Sequence, residues 1–410
     1  MKSMNGKGTV MNTTDSPLWG ALTGIRPVKR VVKLLELGKS DAEVRESLRT
    51  EFGVSEGKIN IALAIAKKER EVVKTIRPGS ISLYVDIPFC PSRCVYCSFA
   101  SMGMDKMGRY MQPYLDALFE EIGETARIVQ EMGLLIETVY IGGGTPTTLL
   151  SLEMKNLLRK LVQSFDLSGV REFCVEAGRP DTITKDKLSV MREYGVDRIS
   201  INPQSMNQKT LDLIGRKHTV EQIETAYRLA REFGFGAINM DVIAGLPGET
   251  TADFRHTLDR VAALEPENIT VHTMSVKRAA RLNAQEAALP APDGGAVDEM
   301  MGYAYEKMDL CGYEPYYLYR QKNVKAVLGN QENTGFCKPG FEGLYNICMM
   351  EEIQSVVAMG VGGVSKLVRG DQIERIFNFK DVIEYINRIE EIKARKQYIR
   401  EFLTAEELSL

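Results

Sequence analysis

Up to about residue 20 the chain has no hydrophobic periodicity and is dominated by Gly, Ser, Thr and Asn, so residues 1–19 are expected to be disordered. Apolar positions then recur at helical spacing. Arg30 to Leu37 stops at Gly38, and Ser40–Glu43 fits a capping box ahead of Val44 and Leu48. Ile61, Ile65 and Val72 mark a third helix over Lys58–Lys74, and Pro78-Gly79 closes a small helical region, 20–78. Its role is not legible. From 79 the period changes. Short β-branched runs at 81–86, 136–141, 172–176, 197–201, 237–243 and 268–273 alternate with amphipathic stretches near 108–132, 151–165, 184–194, 220–233 and 250–264. β-α units in series predict an α/β fold with a parallel sheet, either doubly wound or barrel-like. Ligands are expected at the C-terminal strand ends in both cases. The Ala-, Pro- and Gly-rich run 284–296 reads as a loop, and 297–410 mixes helix and strand signals.

Composition narrows the class. With 410 residues the chain is longer than one ordinary domain, and a net charge of -3 gives no whole-chain basic field for nucleic acid. No apolar run approaches the roughly 18 residues of a membrane span, and the first residues lack a secretion-signal core. The expected location is cytoplasmic. The 7 cysteines agree with this: the number is odd and three are crowded, which in a reducing compartment points to metal or catalysis rather than disulfides.

Those three are Cys90, Cys94 and Cys97, spaced C-x3-C-x2-C just after the first predicted strand. Cysteine thiolates hold iron–sulfur clusters, and three ligands leave one iron of a cubane open to another molecule. Spacing alone leaves other readings: a zinc site completed by a distant Cys or His, without the second paired ligand set usual for closed zinc, or three unligated core cysteines. After the second predicted strand stands Gly-Gly-Gly-Thr-Pro-Thr, 142–147, where glycines permit close approach of a ligand to the backbone. No Gly-Lys-Ser/Thr follows, so it is not a Walker loop.

The cysteine spacing at this place resembles the radical S-adenosylmethionine (SAM) superfamily. Further words occur in order: IPFC at 87–90, GGGTP, VEAGRPDTI at 175–183, DRISINPQSM at 197–206, IGRKHT at 214–219 and MDVIAGLPGET at 240–250. Together they resemble the oxygen-independent coproporphyrinogen III oxidase group, with its HemN, HemW and HemZ branches, over about 80–370. ALTGIRPVK at 21–29 is similar to the HemZ branch. The resemblance implies a partial (β/α)6 TIM-like barrel over 79–283, the small N-terminal helical region, and an α+β C-terminal domain, 284–410, covering the substrate.

The resemblance also implies a 4Fe-4S cluster on Cys90, Cys94 and Cys97, with Tyr84 and Tyr96 against SAM and Gly143, Gly144 and Thr145 at its methionine end. Glu176, Gln204, Arg216 and Asp241 match positions that hold the SAM carboxylate or ribose, and Gly363 is expected to let the C-terminal region approach the same pocket. No catalytic side chain is singled out. The implied reaction is oxidative decarboxylation of two propionates of coproporphyrinogen III to vinyls, giving protoporphyrinogen IX in heme biosynthesis, with a low-potential electron donor such as flavodoxin or ferredoxin. A tetra-anionic tetrapyrrole needs cations, and Lys277, Arg278, Arg281, Arg320 and Lys322 are expected near the barrel mouth, where arginine suits carboxylates. Tyr316, Tyr317 and Tyr319 suit either stacking on a macrocycle or a core strand.

Three positions depart from the group. Asp86 stands where members often have His, Phe99 where the HemN branch has a further Cys, and Asn202-Pro203 where Gly-Val usually precedes the glutamine. Phe99 favours a heme chaperone like HemW as the alternative, and a radical SAM tetrapyrrole methyltransferase or heme-degrading enzyme is a third reading. Of the histidines, His256 is expected mid-helix and exposed, His218 on a loop, and His272 at a strand end facing the pocket.

Overall fold

The computed structural model describes residues 18–97, 101–274, 294–321 and 332–404. Three helices lead: α1 (Val28–Glu36), α2 (Asp41–Phe52) and α3 (Glu56–Val73). The Ser40 capping box forms as expected, and Gly53 ends α2 in the left-handed conformation. Leu18 and Trp19 correct the expectation of disorder over 1–19, the rest of which lies outside the described residues. Trp19 is 1% exposed and donates through Nε1 to Glu332 (2.9 Å), so the large indole finds both apolar cover and a partner.

All six predicted strands form: β1 (Ser80–Ile87), β4 (Leu135–Gly143), β5 (Glu172–Gly178), β6 (Arg198–Ile201), β7 (Ala237–Ala244) and β8 (Asn268–Thr273). They run parallel and side by side in chain order, the arrangement expected of serial β-α units. Their apolar faces pack against the helices Met111–Glu131, Ser151–Ser164, Lys185–Glu193, Val220–Glu232 and Thr251–Ala263. A two-residue pair, β2 (Phe89–Cys90) with β3 (Met102–Gly103), brackets the cysteine loop.

The C-terminal segment completes both edges of this sheet. β9 (Glu314–Arg320) and β10 (Glu332–Cys337) add antiparallel beyond β8. At the other edge β11 (Ser355–Met359) pairs parallel with β1, followed by antiparallel β12 (Val364–Arg369) and β13 (Gln372–Phe377). The result is one open 11-stranded sheet in the order β13-β12-β11-β1-β4-β5-β6-β7-β8-β10-β9. The loop expected over 284–296 ends early, because Gly294 opens a helix to Leu310; the remainder lies outside the described residues.

The N-terminal helices dock on the β9 edge. Leu318 of β9 is buried inside their apolar cluster, and Lys58 of α3 pairs with the fully buried Glu332 of β10. On the other side of the dock, Arg26 donates to the Met350 carbonyl (2.8 Å) and pairs with Glu352 (2.6 Å). Among the described residues no helix is long and apolar enough to cross a membrane.

Candidate active site

At the C-terminal ends of the strands lies a cavity of about 430 Å³. Its lining includes Tyr84, Cys90, Cys94, Tyr96, Cys97, Gly143, Gly144, Thr145, Glu176, Gln204, Arg216 and Asp241, so residues far apart in the chain meet at one place. The strand register explains this, since parallel neighbours carry their chain ends to the same edge of the sheet.

The cysteine loop is braced from several elements. Val95 N–H donates to the Ile214 carbonyl (3.1 Å), Ser92 Oγ to the Gly215 carbonyl (3.2 Å) and Arg179 Nη1 to Ser92 Oγ (3.1 Å). Arg179 is itself held by both oxygens of Asp181 (2.9 and 3.0 Å). The glycine run lies against this loop: Gly144 N–H donates to Ile87 and Thr145 N–H to Phe89, both at 2.8 Å. A Cβ on Gly144 would sit 2.7 Å from the Phe89 carbonyl oxygen and 3.0 Å from Cys90 Sγ, so only glycine fits. Thr145 Oγ1 lies 3.5 Å from Cys90 Sγ. Burial pushes the Cys90 thiol up, with Thr145 opposing and the nearby Cys97 and Cys94 adding to it.

Beside the thiols, Tyr84, Tyr140 and Tyr345 form a stack, with Tyr140 and Tyr345 4.5 Å apart at 19°. Tyr140 donates to Glu176. Burial pushes the Glu176 carboxyl up to about 7 against that hydrogen bond, and the Asp241 charge adds to the rise. Asp241 goes the other way. Burial works against its charge, but His272, Asn239 and Thr270 prevail and hold it below the usual carboxylate range. His272 Nε2 is 3.7 Å from Asp241, and Asn239 donates at 2.7 Å. The two carboxyls of one pocket are thereby driven apart in acidity.

Gln204 follows Asn202-Pro203 with φ of 65°, a left-handed conformation uncommon outside glycine. It is held by its N–H on the Asp241 carbonyl (2.9 Å) and its carbonyl on Ile243 N–H (3.0 Å). This turns its side chain into the cavity, where Oε1 is buried and has no partner among the described residues; Asn202 Oδ1 is likewise unpaired. Arg216 donates to the Asn202 carbonyl. Burial opposes its charge, whereas Tyr96 and Cys94 beside it reinforce it.

Other predicted positions fall elsewhere. Arg320 is turned away from the cavity: its Nη1 donates to the Leu22 carbonyl (2.7 Å) and its guanidinium lies over Trp19. The alternation of β9 explains the correction, because Tyr317 and Tyr319 line the cavity and the next residue must face the other way. Gly363 also lies outside the lining, at a turn closed by its N–H on the Gly360 carbonyl (3.1 Å). Lys277, Arg278, Arg281, Lys322 and Phe99 lie outside the described residues. His256 is exposed on its helix, and His218 is buried 3.6 Å from Asp181. Tyr140, Arg179 and Tyr345 are missed: nothing in periodicity or spacing marks them, and Tyr345 meets Tyr140 only because the helix Leu344–Glu351 packs against β4.

These residues fit an iron–sulfur cluster with an adenosylated amino acid beside it. Three thiols face one cavity, a glycine wall leaves room against Cys90, and unpaired amide oxygens and a low-lying carboxyl stand across from them. Among the described residues, no three Cys, His, Asp or Glu are already drawn together at ion-holding distance.

Comparison with known proteins agrees. A signature described as the Radical SAM superfamily matches residues 84–261. The chain is 41% identical over 377 residues, 91% of its length and 75% of the relative's, to a Bacillus subtilis protein named oxygen-independent coproporphyrinogen-III oxidase-like protein HemZ. It is 32% identical over 272 residues, 65% of its length and 66% of the relative's, to heme chaperone HemW of the same organism. The fold matches the Escherichia coli coproporphyrinogen III oxidase HemN, titled a radical SAM enzyme, with a TM-score of 0.61 at 26% identity over 79% of this chain and 72% of that one. The chain belongs to the radical SAM superfamily, whose chemistry runs on a 4Fe-4S cluster and SAM, and within it to the oxygen-independent coproporphyrinogen III oxidase-like group of oxidoreductases.

Proposed function

We propose that the protein oxidatively decarboxylates coproporphyrinogen III to protoporphyrinogen IX. The observation that carries this is one continuous cavity that runs from three thiols, past Glu176, Gln204 and Asp241, to a wall formed by Tyr317, Tyr319, Met274 and Met350. The first part suits the cofactors and the second the face of a macrocycle. The relatives named for coproporphyrinogen oxidation support the substrate class.

When bound, the reduced cluster and SAM supply a hydrogen-abstracting radical. The chain's own residues would do the rest. Cys90, Cys94 and Cys97 would hold the cluster, and Gly143, Gly144 and Thr145 would admit the methionine end of SAM. Asp241, kept ionised by His272 and Asn239, would accept from ribose hydroxyls. Glu176 and Gln204 would join Asp241 at the ribose hydroxyls, and Arg216 would supply a fixed positive charge for the SAM carboxylate beside Tyr96. The substrate loses a propionate β-hydrogen, then CO2, and passes one electron to an acceptor, leaving a vinyl group. A flavodoxin or ferredoxin would supply the low-potential electron.

Anaerobic assay of cluster-loaded protein with SAM and coproporphyrinogen III should release CO2 and give a product lighter by two carboxyl groups and two hydrogens. Absence of product with a full cluster counts decisively against the reading. Cys94→Ala should lose both iron and SAM cleavage; unchanged cleavage overturns the thiol assignment. Heme carriage is the second reading, favoured by Phe99, and predicts stoichiometric hemin binding without turnover.

A further inference from the structure

At the wall of the cavity where β10 lies between the end of β8 and the end of β9, a small amide network has a free end. Thr273 N–H donates to Asn333 Oδ1 (2.9 Å), which fixes the orientation of the Asn333 amide. Gln321 Nε2 then donates to the Thr273 carbonyl (2.9 Å) and lies 3.5 Å from the same Asn333 oxygen. With its nitrogen committed to two carbonyl oxygens, Gln321 must turn Oε1 the other way. That oxygen is buried with no partner among the described residues, and so is Thr273 Oγ1, in a residue only 2% exposed. Both residues line the cavity, beside the rings of Tyr317 and Tyr319. Buried polar atoms are almost always paired, so an unpaired amide oxygen at a cavity wall calls for a ligand that brings a hydrogen-bond donor, and the neighbouring Thr273 hydroxyl is able to accept from the same ligand.

We propose that Gln321 Oε1 and Thr273 Oγ1 accept pyrrole N–H groups of the reduced macrocycle and so separate a porphyrinogen from heme. This rests on the substrate reading above. A porphyrinogen keeps an N–H on each of its four pyrroles, and its saturated bridges let the rings tilt those donors toward a wall. In heme every pyrrole nitrogen is bound to iron and carries no hydrogen. The acceptors are satisfied by the first ligand and stranded by the second, and a site built around a hydrogen bond discriminates strongly against a ligand lacking it.

The test compares cluster-loaded wild type with Gln321→Leu and Thr273→Val, and with Thr273→Ser, which keeps the hydroxyl. KM for coproporphyrinogen III and equilibrium dissociation constants for coproporphyrinogen III, SAM and hemin are measured anaerobically. Each apolar variant should weaken porphyrinogen binding about five- to tenfold, the scale of one hydrogen bond. Thr273→Ser should stay near wild type, SAM affinity should not move, and hemin should bind the apolar variants more tightly than wild type, because no acceptor is then stranded. Iron content at the wild-type level reports an intact site, and either apolar variant suffices if the other fails to fold. Unchanged porphyrinogen affinity in the apolar variants overturns the proposal. So does a loss of SAM affinity, which would turn the acceptors toward the adenosyl group. A wild type that consumes no coproporphyrinogen sinks the proposed function, while the binding comparison of coproporphyrinogen with hemin still decides the role of the acceptors.

Discussion

Glu332→Gln tests how the N-terminal helices are tied to the cavity wall. Glu332 is 0% exposed, accepts from Trp19 Nε1 (2.9 Å) and Tyr305 Oη (3.1 Å), and pairs with Lys58, which is itself buried. The substitution keeps size and some hydrogen bonding but leaves the Lys58 ammonium buried without a counter-charge. Breaking such a pair from one side costs about 3–5 kcal/mol, a large part of the roughly 5–15 kcal/mol that holds a domain folded. The loss falls on the seam between α3 and β10, because the apolar cluster of the helices includes Leu318 of β9. Urea unfolding should register the cost, and amide hydrogen exchange should show α1–α3 losing protection before the parallel strands. Glu332→Leu combined with Lys58→Met, which removes both charges, should recover most of the loss. A loss below about 1 kcal/mol in Glu332→Gln, with protection of α1–α3 unchanged, refutes the reasoning, since exposed pairs are worth no more than that.

Gly144→Ala places a methyl against the Phe89 carbonyl and Cys90 Sγ, so iron content after reconstitution should fall well below wild type while the far-UV circular dichroism stays the same. Glu176, pushed up to about 7 by burial, is protonated below that pH and ionised above it. An ionised carboxylate accepts from ribose hydroxyls more strongly than a protonated one, so SAM binding should tighten as pH rises through about 7, and Glu176→Gln should flatten that dependence; an equally steep profile in the variant would remove Glu176 from the role. Arg320→Ala should destabilise docking of the N-terminal helices, seen as faster hydrogen exchange around Leu22, and leave affinity for coproporphyrinogen III within about twofold of wild type, the scatter of a surface substitution.

The local patterns carried a great deal. Period and breakers located the six parallel strands and their helices to within a few residues, because each element's buried face repeats at its own spacing. The cysteine spacing and the glycine run marked two adjacent corners of the site for a similar reason: their chemistry sits in consecutive residues. Side-chain direction at a long-range junction was another matter. Arg320 has the charge expected of a substrate ligand, yet the alternation of β9 sends Tyr319 into the cavity and Arg320 back onto Leu22 and Trp19. Trp19 sits in a stretch without periodicity and is held because the apolar cluster of the N-terminal helices covers it and Glu332, more than 300 residues later, accepts its N–H. The Tyr84–Tyr140–Tyr345 stack and the free acceptors on Gln321 and Thr273 likewise exist only where segments distant in the chain pack together, the helix Leu344–Glu351 on β1 and β4 in one case and Gln321 on the end of β8 in the other. The sequence alone determined the elements and the cysteine–glycine corner, which depend on neighbours in the chain. The tertiary structure decided which wall faces the substrate and what the N-terminal helices hold in place, since burial and partnering at those points are properties of the packed whole.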